Sequence, residues 1–315
     1  MEAASRACAA PRLWPDCGPF DLDDGIAYRA WRDEKLAHYP AQPADIHTEI
    51  RDPARLSAGE RAAIAASCAR ANLALYSFSP HRDEQKLRGD LLSFGVSLGL
   101  TALEDHRSAE ADGIVRIERS DAGGRAGYIP YTDRPISWHT DGYYNFHGAA
   151  RYVQAMLLHC VRDAPAGGEN RLLDPEIAYI RLRDVDPALV AALMNPQAMT
   201  IPANVEADGR VRPANTGPVF FVDPATGALG MRFTARKRNI SWRDDAATQR
   251  AVAALMMILE SEPLRMEVRL APGQGLICNN VLHDRTGFEA DLTSRRLLFR
   301  IRYHGRIVPA AHNGS

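Results

Sequence analysis

Nowhere does the 315-residue chain offer about 18 consecutive apolar residues, so nothing in it reads as a membrane-spanning helix. Its first residues, MEAASRACAAPRLWPDC, lack the continuous apolar stretch of a secretory leader. Charge of one sign is missing too. The 38 Lys and Arg nearly cancel the 39 Asp and Glu, which excludes a global field able to gather nucleic acid or an anionic membrane; any preference for an anion must be local. Cysteine is scarce: Cys8, Cys17, Cys68, Cys160 and Cys278 are odd in number, scattered, and free of the CxxC spacing of zinc or dithiol sites. Internal repeats and low-complexity tracts are absent, and the glycines at 123, 124 and 127 lack the Lys-Ser/Thr of a phosphate loop, so they read as a hairpin turn. A cytoplasmic protein is expected, with a small molecule as partner rather than nucleic acid or membrane; a homo-oligomer is neither indicated nor excluded.

What is present suffices for a substantial core, since 46% of the residues are hydrophobic. The length suits one elaborated domain over 1–315. Residues 1–110 read as an N-terminal elaboration with a short alternating strand at 46–50. Ser57 and Glu60 then form a capping-box pair before an Ala-rich helix over 61–73, a strand over 74–78 and a helix over 83–98. From Gly113 onward, short apolar or alternating runs are broken by Gly, Pro, Asn and Asp. This pattern predicts strands over 114–119, 136–141, 151–161, 218–222, 265–270, 275–282 and 296–303, interrupted by helices near 175–182 and 245–262. The fold expected is α+β with a mainly β core, a sandwich or jelly roll over 111–305 with flanking helices. Val252, Leu255, Met256 and Leu259 stand at i, i+3, i+4 and i+7, which marks a core-facing stripe.

The segment ISWHTDGYYN carries the sharpest chemistry. On a strand, residues i and i+2 share a face, so His139 and Asp141 can hold one metal ion together. Spacing alone is weak evidence, because chance supplies about one His-x-Asp pair in such a chain, and a second occurs at His81 and Asp83. That second pair follows Ser79-Pro80 and precedes a helical run, so it reads as a helix start with Asp83 near the positive end of the helix. His139 and Asp141 instead end an apolar strand and should point inward. A third ligand is then required, and His283 supplies it at the end of the run GLICNNVLH, with Asp284 and Arg285 opening the next loop. Two imidazoles and one carboxylate leave three metal positions free, the arrangement of Fe(II) enzymes that bind a chelating co-substrate and O2. Structural zinc would be closed by four protein ligands. The other histidines, His159 within an apolar strand among them, read as core or surface residues.

In RRLLFRIRYHG, alternation puts Leu297, Phe299, Ile301 and Tyr303 on one side and Arg296, Leu298, Arg300 and Arg302 on the other. A cationic face turned into a cavity needs anions, and the carboxylates of small ligands fit through paired hydrogen bonds. A solvated edge strand is the alternative, but nearness to His283 favours the cavity.

With these segments in view, the chain resembles the taurine dioxygenase (TauD/TfdA) family of iron(II)/2-oxoglutarate dioxygenases over roughly 110–305. WHTDGYYN looks like the family's His-x-Asp segment, APAGGEN like its Pro-x-Gly-Gly-Asp-Thr segment, NNVLHDRTGF like its distal histidine segment and SRRLLFR like its arginine segment. The resemblance implies a double-stranded β-helix, with Fe(II), 2-oxoglutarate and O2 as cofactor and co-substrates. It implies His139, Asp141 and His283 as the catalytic iron ligands, Arg296 as partner of the distal 2-oxoglutarate carboxylate, and Arg300 as an anchor for a substrate anion. The chain departs from the family at Glu169-Asn170, where Thr is usual, and Asn170 is expected to donate its amide in place of the hydroxyl. Tyr143, Tyr144 and Asn145 are expected to line the substrate pocket. The function expected is oxidation, most simply hydroxylation, of a small anionic organic molecule with release of succinate and CO2. A non-catalytic 2-oxoglutarate sensor or scaffold and a metal-dependent hydrolase are the competing readings.

Overall fold

The computed structural model describes residues 14–308 apart from 82, 106–107, 121–127, 206–208, 210 and 290–295, so Cys8 and the glycine turn at 123–127 lie outside the described residues. Two sheets form the β core. The larger has six strands in the order His47–Glu49, Leu73–Ser77, Gln274–Cys278, Ala155–Arg162, Leu297–Tyr303 and Val115–Glu118. All neighbours in it are antiparallel except the first pair. The smaller sheet is antiparallel throughout and runs Met266–Val268, Asn170–Leu173, Leu282–Arg285 and Ile136–His139. The expected jelly roll with flanking helices is the fold observed.

The strand Leu297–Tyr303 shows how the sequence pattern becomes packing. It lies between two partners rather than at an edge, and all seven of its residues are buried. Leu297, Phe299, Ile301 and Tyr303 pack with Ile64, Leu87, Leu91 and Phe94 of the helices Ala58–Ala71 and Glu84–Ser97. The arginine face therefore has to point between the sheets, and the solvated-edge alternative is excluded.

Local signals place the helices. Ser57 Oγ accepts from the Glu60 amide at 3.2 Å while Glu60 accepts from the Ser57 amide at 2.6 Å, the reciprocal cap expected. Asp83 caps the helix Glu84–Ser97, which settles the His81/Asp83 pair as a helix start. Helices Gly25–Ala37 and Pro187–Leu193 were not anticipated. Gly25–Ala37 is fastened by tertiary contact: the buried Lys35 ammonium meets Asp174 at 2.7 Å and Glu176 at 2.5 Å. On helix Ala246–Ser261 the buried stripe runs through Thr248, Ala251, Leu255 and Leu259, with Val252 and Met256 partly buried at its margin.

One expected strand is divided. The run 275–282 breaks after Cys278 because Asn280 takes a left-handed conformation, φ 52°, and the chain passes from the large sheet to the small one. His283 consequently sits inside the strand Leu282–Arg285 rather than ending one, and Asp284 and Arg285 belong to that strand. No helix among the described residues is long and apolar enough to cross a membrane. The described cysteines, Cys17, Cys68, Cys160 and Cys278, are free thiols.

His159 is a core residue, as its apolar surroundings predicted. Its ring stacks on Phe78 at 4.7 Å and on Tyr76 at 5.9 Å, and burial lowers its pKa to about 3. Above pH 6.5 it is neutral in folded and unfolded chains alike; between 6.5 and 3 only the unfolded chain binds the proton, so stability falls as pH falls. Replacing it by His159→Phe should flatten the acid limb of the stability profile by up to about 1.4 kcal/mol per pH unit, measured by urea denaturation from pH 7 to 4. An unchanged slope would contradict this.

Candidate functional site

The small sheet brings the distant histidines together. In its antiparallel register His283 lies directly opposite His139, and their ring centroids are 4.2 Å apart. Asp141 arrives differently from the expectation. The strand Ile136–His139 stops two residues before it, so the carboxylate is placed by a turn rather than by strand alternation. Thr140 still donates to Phe233 O at 3.0 Å, and Gly142, at φ 73°, turns the chain where a Cβ would meet Val153 Cγ2 at 2.5 Å.

Asn280 fixes that turn. Its Oδ1 accepts from the Asp141 amide at 2.8 Å, and its Nδ2 donates to Asp141 O at 3.0 Å and Val153 O at 2.7 Å. A residue three positions before His283 thus clamps the backbone of Asp141. The result is one cluster in which His139, Asp141 and His283 each offer an atom within 4.8 Å of the others.

The donor chemistry suits a metal ion. His139 Nδ1 lies 2.9 Å from Ser137 O and His283 Nδ1 lies 2.9 Å from Val281 O, so each ring can spend its proton on a carbonyl and keep a lone pair on Nε2. His139 retains partial solvent contact, yet burial, and next the His283 ring, lower its pKa to about 3, so it is neutral at ordinary pH. Asp141 Oδ1 accepts from Arg300 at 3.0 Å and from Arg302 at 3.2 Å, whereas its buried Oδ2 has no hydrogen-bond partner among the described residues. Burial pulls this carboxyl's pKa upward, but Arg300 and Arg302 outweigh burial and hold it well below the usual range. A buried carboxylate oxygen to which no described residue donates, in one cluster with two imidazole lone pairs, is a donor set that fits a divalent metal ion.

A cavity opens next to this cluster, lined by His139, His283, Asn170, Arg285, Arg296 and Arg300 together with Ile117, Met156, Leu158 and Leu298. Arg296 is 8% exposed and forms no ion pair among the described residues; burial lowers its pKa to about 10, and it remains a cation. Its guanidinium lies 4.9 Å from the Phe288 ring, and that of Arg285 lies 4.8 Å from the same ring. Arg285 donates to the carbonyls of Thr132 and Arg134, and its buried Nε has no partner among the described residues. Gly168, at φ 79°, leaves room for Arg296: a Cβ there would stand 3.2 Å from its Nε.

The expected substrate residues divide. Tyr143 sets its ring 6.2 Å from that of His139, edge to face. Tyr144 accepts from Arg302 at 3.2 Å, and Asn145 donates to Glu104 at 3.4 Å. Arg302 also pairs with Glu104, which links the partly buried Tyr144 and Asn145 to Asp141. Glu104, Asn280 and Arg285 join the site through contacts between distant segments. Only Asn280 carried a local signal, because Asn tolerates the left-handed turn that divides two strands.

The chain matches the family model described as "Taurine catabolism dioxygenase TauD, TfdA family" over residues 35–302. It is 34% identical to a uridine-5'-phosphate dioxygenase of Amycolatopsis sp over 177 residues, spanning 53% of this chain and 60% of that relative. A uridine-5'-phosphate dioxygenase of Streptomyces sp is 29% identical over 201 residues, 62% of this chain and 70% of that one. Among solved structures, the non-heme iron oxygenase OrfP in complex with Fe and alpha-ketoglutaric acid shares the fold at TM-score 0.57 and 17% identity, with 80% of this chain and 81% of that chain covered.

The Asn280 clamp is open to test. Asn280→Ala leaves three buried backbone groups without partners and should cost on the order of 3 kcal/mol, read by urea denaturation, with weaker Fe(II) binding. Unchanged stability and iron affinity together would remove Asn280 from the site.

Proposed function

Since this chain belongs to the TauD/TfdA family of iron(II)/2-oxoglutarate dioxygenases, we propose that it oxidises, most simply hydroxylates, a small anionic organic substrate at an iron held by His139, Asp141 and His283. The observation that carries this reading is the convergence of three ligand atoms beside a cavity whose buried arginine has no carboxylate partner among the described residues. A nucleoside phosphate is the substrate class to try first, because two relatives bear the name uridine-5'-phosphate dioxygenase.

Each residue has a physical task. His139 and His283 would hold the iron through Nε2, their rings oriented by the Nδ1 contacts with Ser137 O and Val281 O. Asp141 would bind with Oδ2, the oxygen to which no described residue donates, while Arg300 and Arg302 hold Oδ1 and keep the carboxylate ionised. Arg296 grips the distal carboxylate of 2-oxoglutarate through a charged fork, and Asn170, 5% exposed in the same cavity, adds an amide donor. When bound, Fe(II) would supply the oxidising chemistry, with 2-oxoglutarate and O2 converted to succinate and CO2 and the second oxygen atom inserted into a substrate C–H bond. The surrounding protein limits water and keeps that oxidation directed at the substrate.

Purified protein with Fe(II), ascorbate, 2-oxoglutarate and O2 should form succinate, faster with uridine-5'-phosphate or another true substrate. His139→Ala and Asp141→Ala should abolish it. Arg296→Ala should raise the KM for 2-oxoglutarate about 10- to 100-fold. Full succinate formation by both ligand variants would overturn the assignment.

A further inference from the structure

The arginines nearest the metal cluster are poorly placed to hold a charged substrate. Arg300 donates to Asp141, and Arg302 is divided among Asp141, Glu104 and Tyr144. Arg285 and Arg296 line the cavity assigned to the co-substrate. An anionic substrate therefore needs cations from elsewhere.

One such cation stands beside Tyr143, and two more follow it in the chain. Thr234 forms a bridge with His139, and the chain leaving that bridge reads Ala235-Arg236-Lys237-Arg238-Asn239, turning at Asn239 with φ 59°. The Arg236 guanidinium lies 5.9 Å from the centroid of the Tyr143 ring, and the same ring meets His139 at 6.2 Å. One aromatic ring is thus shared between the loop and a metal ligand.

Among the described residues these three charges are uncompensated. Arg236, Lys237 and Arg238 form no ion pair with any described residue, and Lys237 and Arg238 are exposed. Lys35 and Lys86, the only other lysines in the chain, both meet carboxylates. Arg243, further along the same segment, is held by Asp245 at 3.1 Å. Three adjacent like charges repel, and an anion with several acceptor oxygens relieves that repulsion.

We infer that the 236–238 loop binds a phosphate monoester carried by the substrate, beside Tyr143 and outside the co-substrate cavity. The inference rests on the oxygenase reading above and adds to it the residues that recognise the substrate. A phosphate dianion offers three terminal oxygens to two guanidinium forks and an ammonium, which a single carboxylate cannot engage together.

The test compares the full chain with the Arg236→Gln, Lys237→Gln, Arg238→Gln triple variant, each loaded with Fe(II) and 2-oxoglutarate without O2. Calorimetry measures affinity for uridine-5'-phosphate and for uridine. The intact protein should prefer the phosphorylated probe at least tenfold, and the triple variant should lose that preference while keeping its affinity for 2-oxoglutarate. Lys237→Gln alone, at an exposed position, should lose about threefold and guards against a misfolded triple variant. An intact protein with no preference for the phosphorylated probe, or variants that retain it, would overturn the inference. Failure of the oxygenase reading would show separately, as intact iron-loaded protein that does not bind 2-oxoglutarate.

Discussion

A carboxylate buried next to two imidazoles persists as an anion here because two guanidiniums face it. Asp141 is 5% exposed, and Arg300 and Arg302 both donate to its Oδ1. Removing such an ion from water costs several kcal/mol, and only close, hydrogen-bonded partners repay it. The pairing also leaves one oxygen in reserve, since both guanidiniums donate to Oδ1 and no described residue donates to Oδ2. The two arginines in turn are positioned by a strand whose other face is locked into the apolar core. Core packing on one side of Leu297–Tyr303 thereby sets the charge and aim of the candidate ligand on the other.

The same logic sorts the cations of the site by what already satisfies them. Arg302 is neutralised by Asp141 and Glu104, and Arg171 by Asp284. Arg296 has no such carboxylate among the described residues, although burying an unpaired guanidinium is costly. A protein that tolerates this cost at a cavity wall gains a ready partner for an anionic ligand. The fold contributes by surrounding the cavity with side chains from both sheets, including Leu158 and Leu298 of the large one and His283 of the small one.

Much of this was legible in the chain. Period-two alternation gave the strands and told which face of RRLLFRIRYHG carries charge, and the burial of Leu297, Phe299 and Ile301 follows that pattern. The metal cluster was readable because His139, Asp141 and His283 close apolar runs and stand in the order of the family's motifs. What stayed hidden depends on contacts between distant segments. Helix Gly25–Ala37 is held by the Lys35 ion pairs with Asp174 and Glu176, which no local pattern announces. The turn that places Asp141 depends on Asn280, 139 residues away. Glu104 acquires its role only when the strand bearing Arg302 lies alongside it, with the Glu104 amide donating to Arg302 O at 2.9 Å.

The central claim is that three side chains hold one ion with room for a chelating co-substrate. Its most direct test is an anaerobic titration of the protein with Fe(II) and 2-oxoglutarate, followed by visible absorption. A charge-transfer band that saturates at one iron per chain and requires both additions is the predicted result. Iron that binds elsewhere, or a spectrum that 2-oxoglutarate leaves unaltered, would contradict the account.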